Sequence, residues 1–189
     1  VSTRPDCVED DVADLLAGYI TKDREVWVEL GLQSASDETL RRINRGHTLS
    51  DYVKCMERLH KRGIKVCTHV ILGLPGEERE DFTKTAKVLN EVGSEGVKIH
   101  NLHIPGGTKM AEEYLEGEIT SWSTERYMNE VEYFLRLLNP EMIIERLVCE
   151  TPSHRLMAPR HFMDKSLFLR TLNDKMEKDN TRQGDLYEG

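Results

Sequence analysis

No run of apolar residues in this 189-residue sequence approaches the roughly 20 that a membrane-spanning helix needs. Signal-peptide features are missing as well, so the expectation is a cytoplasmic protein with no membrane partner. The four cysteines, Cys7, Cys55, Cys67 and Cys149, form no C-x-x-C or C-x-x-x-C pair. They provide no metal or cluster motif, and reduced, mostly buried thiols are expected. There is no H-E-x-x-H, no Ser-His-Asp order that stands out, and no glycine pattern of the phosphate-binding kind. Basic residues are outnumbered, 26 against 34 acids, for a net charge of −8. That balance favours solubility and argues weakly against a dedicated nucleic-acid-binding domain.

What is present is a repeated unit. In the strand expected over Ile64–Leu72, Val66, Thr68, Val70 and Leu72 fall on one face and Cys67, His69 and Ile71 on the other, a period of two. Gly73-Leu74-Pro75-Gly76 stops it, and an amphipathic helix follows over about Glu80–Val92, its stripe formed by Phe82, Ala86 and Leu89. The acids Glu77–Asp81 at its start read as residues favoured by the helix dipole. The same unit recurs at Val26–Gln33 and at Val97–Ile104. Further helices are expected at about Glu9–Tyr19, with a stripe of Val12, Leu15, Leu16 and Tyr19, and at Asp37–Asn44, ending at Gly46. Thr48 with Asp51 has the pattern of a capping box for another, running to about Arg62. Met110–Glu116, Thr124–Leu138 and Lys165–Asp179 complete the helices, Met142–Cys149 reads as a strand, and Thr151–Arg160 as a loop.

Strands alternating with helices indicate βαβ units with right-handed crossovers. The helix-facing sides of the strands are apolar, whereas the other sides carry Glu29, Gln33, Cys67, His69, Lys98 and His100. A doubly wound sheet would be apolar on both faces. A polar face suggests the inside of a (β/α) barrel, with ligands at the C-terminal ends of the strands. The expected fold is therefore α/β, the C-terminal portion of a partial TIM-like barrel over 1–109, with an α+β extension over 110–189. Gln33 offers an amide at a strand mouth, and Arg45, after the next helix, a charge suited to a carboxylate. A loop glutamine and a solvated arginine would give the same pattern. A strand histidine such as His69 is more often a satisfied core residue than a base, but Lys98 and His100 facing the same way favour a polar pocket.

The stretches Ser2-Thr3-Arg4-Pro5-Asp6, Glu29-Leu30-Gly31-Leu32-Gln33-Ser34, Ile43-Asn44-Arg45-Gly46-His47 and Ile71-Leu72-Gly73-Leu74-Pro75-Gly76-Glu77 resemble, in order and spacing, the radical S-adenosylmethionine (SAM) superfamily. The likeness extends over essentially the whole chain and is strongest to a bacterial branch labelled Fe-S oxidoreductase. That branch is related to the oxygen-independent coproporphyrinogen oxidase and to elongator-type tRNA-modifying domains. The resemblance implies a (β/α)6 partial barrel, SAM as cofactor, and a [4Fe–4S] cluster held by a C-x-x-x-C-x-x-C loop. It also implies an external electron donor and a small-molecule or tRNA substrate. Carried over by position, Gln33 and Arg45 would contact the SAM ribose and methionine carboxylate. Ile71 would present backbone to the adenine, His69 would stand near the ribose, His103 would line the adenine side, and Ser2 would stand where relatives often have a carboxylate. Glu29, Lys98 and His100 would line the substrate pocket.

The cluster motif itself is absent. The chain is therefore expected to be the C-terminal part of a longer enzyme, inactive alone and prone to self-association near Val1–Pro5. The competing reading is a cluster-less barrel-derived module that binds a nucleotide-like ligand or a partner protein. A C-x-x-x-C-x-x-C loop in the preceding coding sequence would discriminate between the two.

Overall fold

Alternation in the strands decides the layering of this protein, seen in a computed structural model that describes residues 1–189. The first half runs β1 (Ser2–Thr3), a 3-10 turn at Pro5–Cys7, α1 (Asp10–Ala17), β2 (Trp27–Gln33), α2 (Asp37–Arg42), α3 (Leu49–His60), β3 (Lys65–Leu72) and α4 (Arg79–Glu91). The second half runs β4 (Gly96–Asn101), β5 (Ile104–Pro105), α5 (Lys109–Leu115), α6 (Thr124–Leu137), β6 (Ile143–Arg146), β7 (Leu156–Ala158) and α7 (Lys165–Asp179). Five strands form one all-parallel sheet in the order β1-β2-β3-β4-β6, and β5 pairs antiparallel with β7.

Val28, Leu30, Val66, Val70, Val97 and Ile99 are fully covered, and they meet Tyr52 and Met56 of α3, Phe82 and Leu89 of α4, and Tyr127 and Phe134 of α6 in one continuous core. Covering each such side chain contributes about 1.5–3 kcal/mol. Three buried hydroxyls enter this layer as a satisfied relay, Tyr52 Oη bonding Thr68 Oγ1 at 2.7 Å and Thr68 Oγ1 bonding Ser94 Oγ at 2.7 Å. The Thr48–Asp51 capping box forms at the start of α3, with Asp51 accepting from the Thr48 backbone N–H at 2.8 Å.

Three elements differ from the sequence expectation. Of the stripe expected on α1, Val12, Leu15 and Tyr19 are exposed (38, 64 and 55%), and it is Ala13, Leu16 and Ala17 that pack inward. Electrostatics turns the helix: Asp10 and Asp14 dock on Arg62, in the turn that follows α3, at 2.9 and 2.6 Å, and the apolar row then faces outward. The strand expected over Val97–Ile104 breaks after Asn101, because β5 leaves the sheet to pair with β7, and Pro105 has no N–H to continue a ladder. Accordingly Thr151–Arg160 is not wholly a loop, since it contains β7.

Candidate active site

The polar face of the sheet gathers its charges at one level. The register places Gly31 beside His69, His69 beside Lys98 and Lys98 beside Arg146. Glu29, one step lower on β2, accepts from Lys98 Nζ at 2.7 Å, His69 Nε2 at 2.9 Å and Ser2 Oγ at 3.0 Å. Lys98 and the other donors hold the Glu29 carboxyl down to about 2, so it is a carboxylate. Lys98 also reaches Glu145 at 3.2 Å; burial opposes its charge, but the two carboxylates outweigh burial and raise its pKa. His69 lies against His100, ring centroids 5.1 Å apart. Burial lowers both imidazoles, His69 in spite of Glu29 and His100 to about 4, so both are neutral near pH 7.

A second group stands at the end of β2. The strand bulges between Gly31 and Gln33, and Gln33 has φ +74°, left-handed backbone that a non-glycine residue adopts at a cost. Arg45 returns over Gly31 and donates to its carbonyl at 3.3 Å. A Cβ at residue 31 would lie 2.4 Å from Arg45 Nη2 and 2.6 Å from Gln33 Nε2, so glycine is what lets the guanidinium and the amide converge there. The Arg45 Nε is buried with no partner. Burial, then the nearby Arg4 charge, disfavours the Arg45 cation. Such a group is suited to receive an anion.

Of the residues singled out in the sequence, Ser2, Glu29, His69, Lys98 and His100 form one network. Gln33 and Arg45 form the second group, and Ile71 is half-buried beside His100 across the ladder. His103 belongs to neither. It lies past the end of β4, where its Nε2 accepts from the Asn101 amide at 2.9 Å and its Nδ1–H donates to Thr151 at 2.5 Å. Glu77 corrects a sequence reading: it is not a dipole residue of α4 but is 95% covered, bonded to Ser34, the neighbour of Gln33, and drawn on by Thr39. Burial pushes its carboxyl up to about 7. A cleft of about 890 Å3 lies elsewhere, between α2, the Gly73–Gly76 turn and Trp122. None of the predicted site residues lines it, and it is walled by charges of both signs.

The converging amide, the guanidinium with its orphaned Nε and the cradle above Gly31 fit a ligand that carries a carboxylate and hydroxyls, as SAM does. The cysteines do not fit an iron–sulfur cluster. No three metal-ligating side chains converge. Cys55 and Cys67 lie in the interior, where burial pushes their thiols up to about 11 and 12, against the thiolates that a cluster requires.

Comparison with known proteins identifies the family and the fold. Residues 1–89 match the family model of the Radical SAM superfamily, and residues 94–178 match that of the Radical_SAM C-terminal domain. The chain belongs to the radical SAM superfamily. An uncharacterized protein of Methanocaldococcus jannaschii, MJ0486, is 39% identical over 97% of this chain and 58% of its own length. The tRNA uridine(34) acetyltransferase of the same organism is 29% identical over 81% of this chain and 28% of its own. Among solved structures, the archaeal Elp3 of Methanocaldococcus infernus superposes with a TM-score of 0.80 at 27% identity, covering 96% of this chain and 42% of that one. The chain thus spans 58% of the length of its M. jannaschii relative MJ0486. No helix is long and apolar enough to cross a membrane.

Three features of the candidate site escaped the sequence reading. Gly31 was visible only as a glycine inside a strand, a signal that a backbone or ligand approaches closely. Glu77 was hidden in an acidic run, and Arg146 in a strand whose inward face had no pattern of its own.

Proposed function

We propose that this chain forms the part of a radical SAM enzyme that grips SAM by its polar end, with Gln33 toward the ribose and Arg45 toward the methionine carboxylate. The Gly31 cradle carries this reading, because it converges two donors on space that a single methyl group would fill. Ile71 backbone would meet the adenine, with His69 near the ribose and His103 on the adenine side. His69, neutral and donating to Glu29, is held in one tautomer and cannot turn freely. Ser2 bonds Glu29, so its role is to orient that carboxylate rather than to hold SAM directly.

SAM bound at a reduced [4Fe–4S] cluster supplies hydrogen-atom abstraction from a substrate. The cluster ligands and the electron donor would come from outside this chain, which alone would bind SAM without reacting. A tRNA is the proposed substrate class of the whole enzyme, on the strength of a relative named for tRNA uridine(34). The net charge of −8 adds no support to it.

Calorimetry with SAM tests the site. Without the ligation that a cluster provides, the expected affinity is weaker than about 0.1 mM, around −5 kcal/mol. Gln33→Ala and Arg45→Ala should each reduce it further. Micromolar affinity indifferent to both substitutions would put the site elsewhere.

A further inference from the structure

Two groups on the polar face have no part in gripping SAM as read above. Arg146 ends β6 directly across the ladder from Lys98. The irregularity between Val97 and Lys98 sets Arg146 at the level of Lys98 on the polar face, next to Glu145, which reaches the Lys98 Nζ; its positive charge also opposes protonation of His69 and His100. The carboxylates close by are already engaged. Glu29 is held by Ser2, His69 and Lys98, and Glu145 by Lys98. Arg146 itself makes no ion pair, while Lys98 beside it makes two. Two residues beyond Lys98 on β4, His100 has its Nε2 buried without a hydrogen-bond partner, although the ring is held in place against His69.

The chemistry of that pair is one-sided. A guanidinium offers planar, paired N–H donors and accepts nothing, and a neutral imidazole whose Nε2 carries the proton offers one donor more. The ligand that satisfies both is an oxyanion, either a carboxylate or a phosphate, which guanidinium forks bind in bidentate fashion. Lys98 is already committed to two carboxylates, which offset its charge, and it lacks the planar fork of a guanidinium. Arg45 is a separate cation at the end of β2, bound to the Gly31 carbonyl.

We propose that Arg146 and His100, backed by His69, form an oxyanion subsite on the polar face, distinct from the Gln33–Arg45 pair, that anchors an anionic group of a second ligand. Naming that ligand the substrate rests on the radical SAM reading of the pocket; the oxyanion site itself does not. A substrate anchored there would present its reacting part toward the mouth of the sheet, above the level of Lys98.

The test is a histidine-ring NMR titration of the 189-residue chain with inorganic phosphate and, separately, with acetate, at ionic strength held constant with sodium chloride. The His100 and His69 signals should move saturably with at least one of the two, and the tighter one tells phosphate from carboxylate. Arg146→Gln should weaken binding at least tenfold with the backbone amide spectrum unchanged. His100→Gln, a second route should the arginine variant fail to fold, should weaken it as well, read from the His69 signal. Arg45→Ala should lose SAM and keep the anion response. The subsite is overturned by shifts that follow chloride equally, by no saturable shift with either anion, or by a response that vanishes with Arg45 rather than with Arg146. If SAM binding fails in the wild type while the Arg146-dependent response persists, the cofactor reading falls and this subsite stands.

Discussion

Glu77 shows how much a single residue can contribute to the site without touching a ligand. Its carboxyl is buried with no cation beside it, and it ties the turn after β3 to Ser34, immediately after the strained Gln33. With a folded pKa of about 7 against an ordinary 4.5, the folded protein keeps a proton that the unfolded chain has given up. Stability contributed by that proton is therefore complete below about pH 4.5 and is lost as the pH rises toward 7, by about 3 kcal/mol in all. Glu77→Gln keeps a neutral hydrogen-bonding group and should abolish this component of the pH slope. Urea unfolding at pH 5 and pH 8 checks it: the wild type should lose stability between the two and the variant should lose about 3 kcal/mol less. Parallel losses would mean that Glu77 is already ionised in the fold.

The elements divide by what kind of information fixes them. The strands β2 and β3 were legible because their alternation is strict, and α7 was read with its observed bounds because Asp164 caps it and nothing else competes. The inward-facing charges followed directly from the same alternation. The orientation of α1 was not legible, since its apolar row and its Asp10–Asp14 row both have helical spacing, and only the position of Arg62, in the turn after α3, decides between them. Nor could β7 be read, a three-residue strand whose pairing with β5 depends on where the chain leaves the sheet. Gly31 is the same kind of case, since the sequence does not reveal that Arg45 returns over it.

The outward row on α1 has a consequence. Val12, Leu15 and Tyr19 are exposed, and β1 is an edge strand whose far side has no neighbour in the sheet. Exposed apolar surface and an open edge both promote association. Light scattering at rising concentration should show self-association that Leu15→Lys reduces, with the stability of the variant within about 0.5 kcal/mol of wild type. Ala13→Leu, by contrast, overpacks a fully covered position and should cost about 1–3 kcal/mol. A clean monomer throughout would contradict the first expectation, and a tolerated Ala13→Leu would contradict the orientation of the helix.

At the scale of the whole molecule, one parallel sheet keeps its apolar side for the core and its polar side for chemistry. The helices α3, α4 and α6 cover the first, while the second collects Glu29, His69, Lys98, His100 and Arg146 below a mouth formed by Gln33 and Arg45. Two cations without an ion pair stand on this side, Arg45 at the mouth with its Nε buried and unpartnered, and Arg146 at the level of Lys98. The cleft between α2, the Gly73–Gly76 turn and Trp122 lies outside this face.

The central claim is that side chains converging over Gly31 hold SAM, and Gly31→Ala tests it most directly. The added methyl would meet only the flexible ends of Arg45 and Gln33, so the fold should survive with a stability change within about 1 kcal/mol. The guanidinium and the amide would nevertheless have to separate. SAM binding, followed by calorimetry beside urea unfolding of the same samples, should then become undetectable in the variant while remaining measurable, though weak, in the wild type. A Gly31→Ala protein that is equally stable and binds SAM as the wild type does would contradict the account.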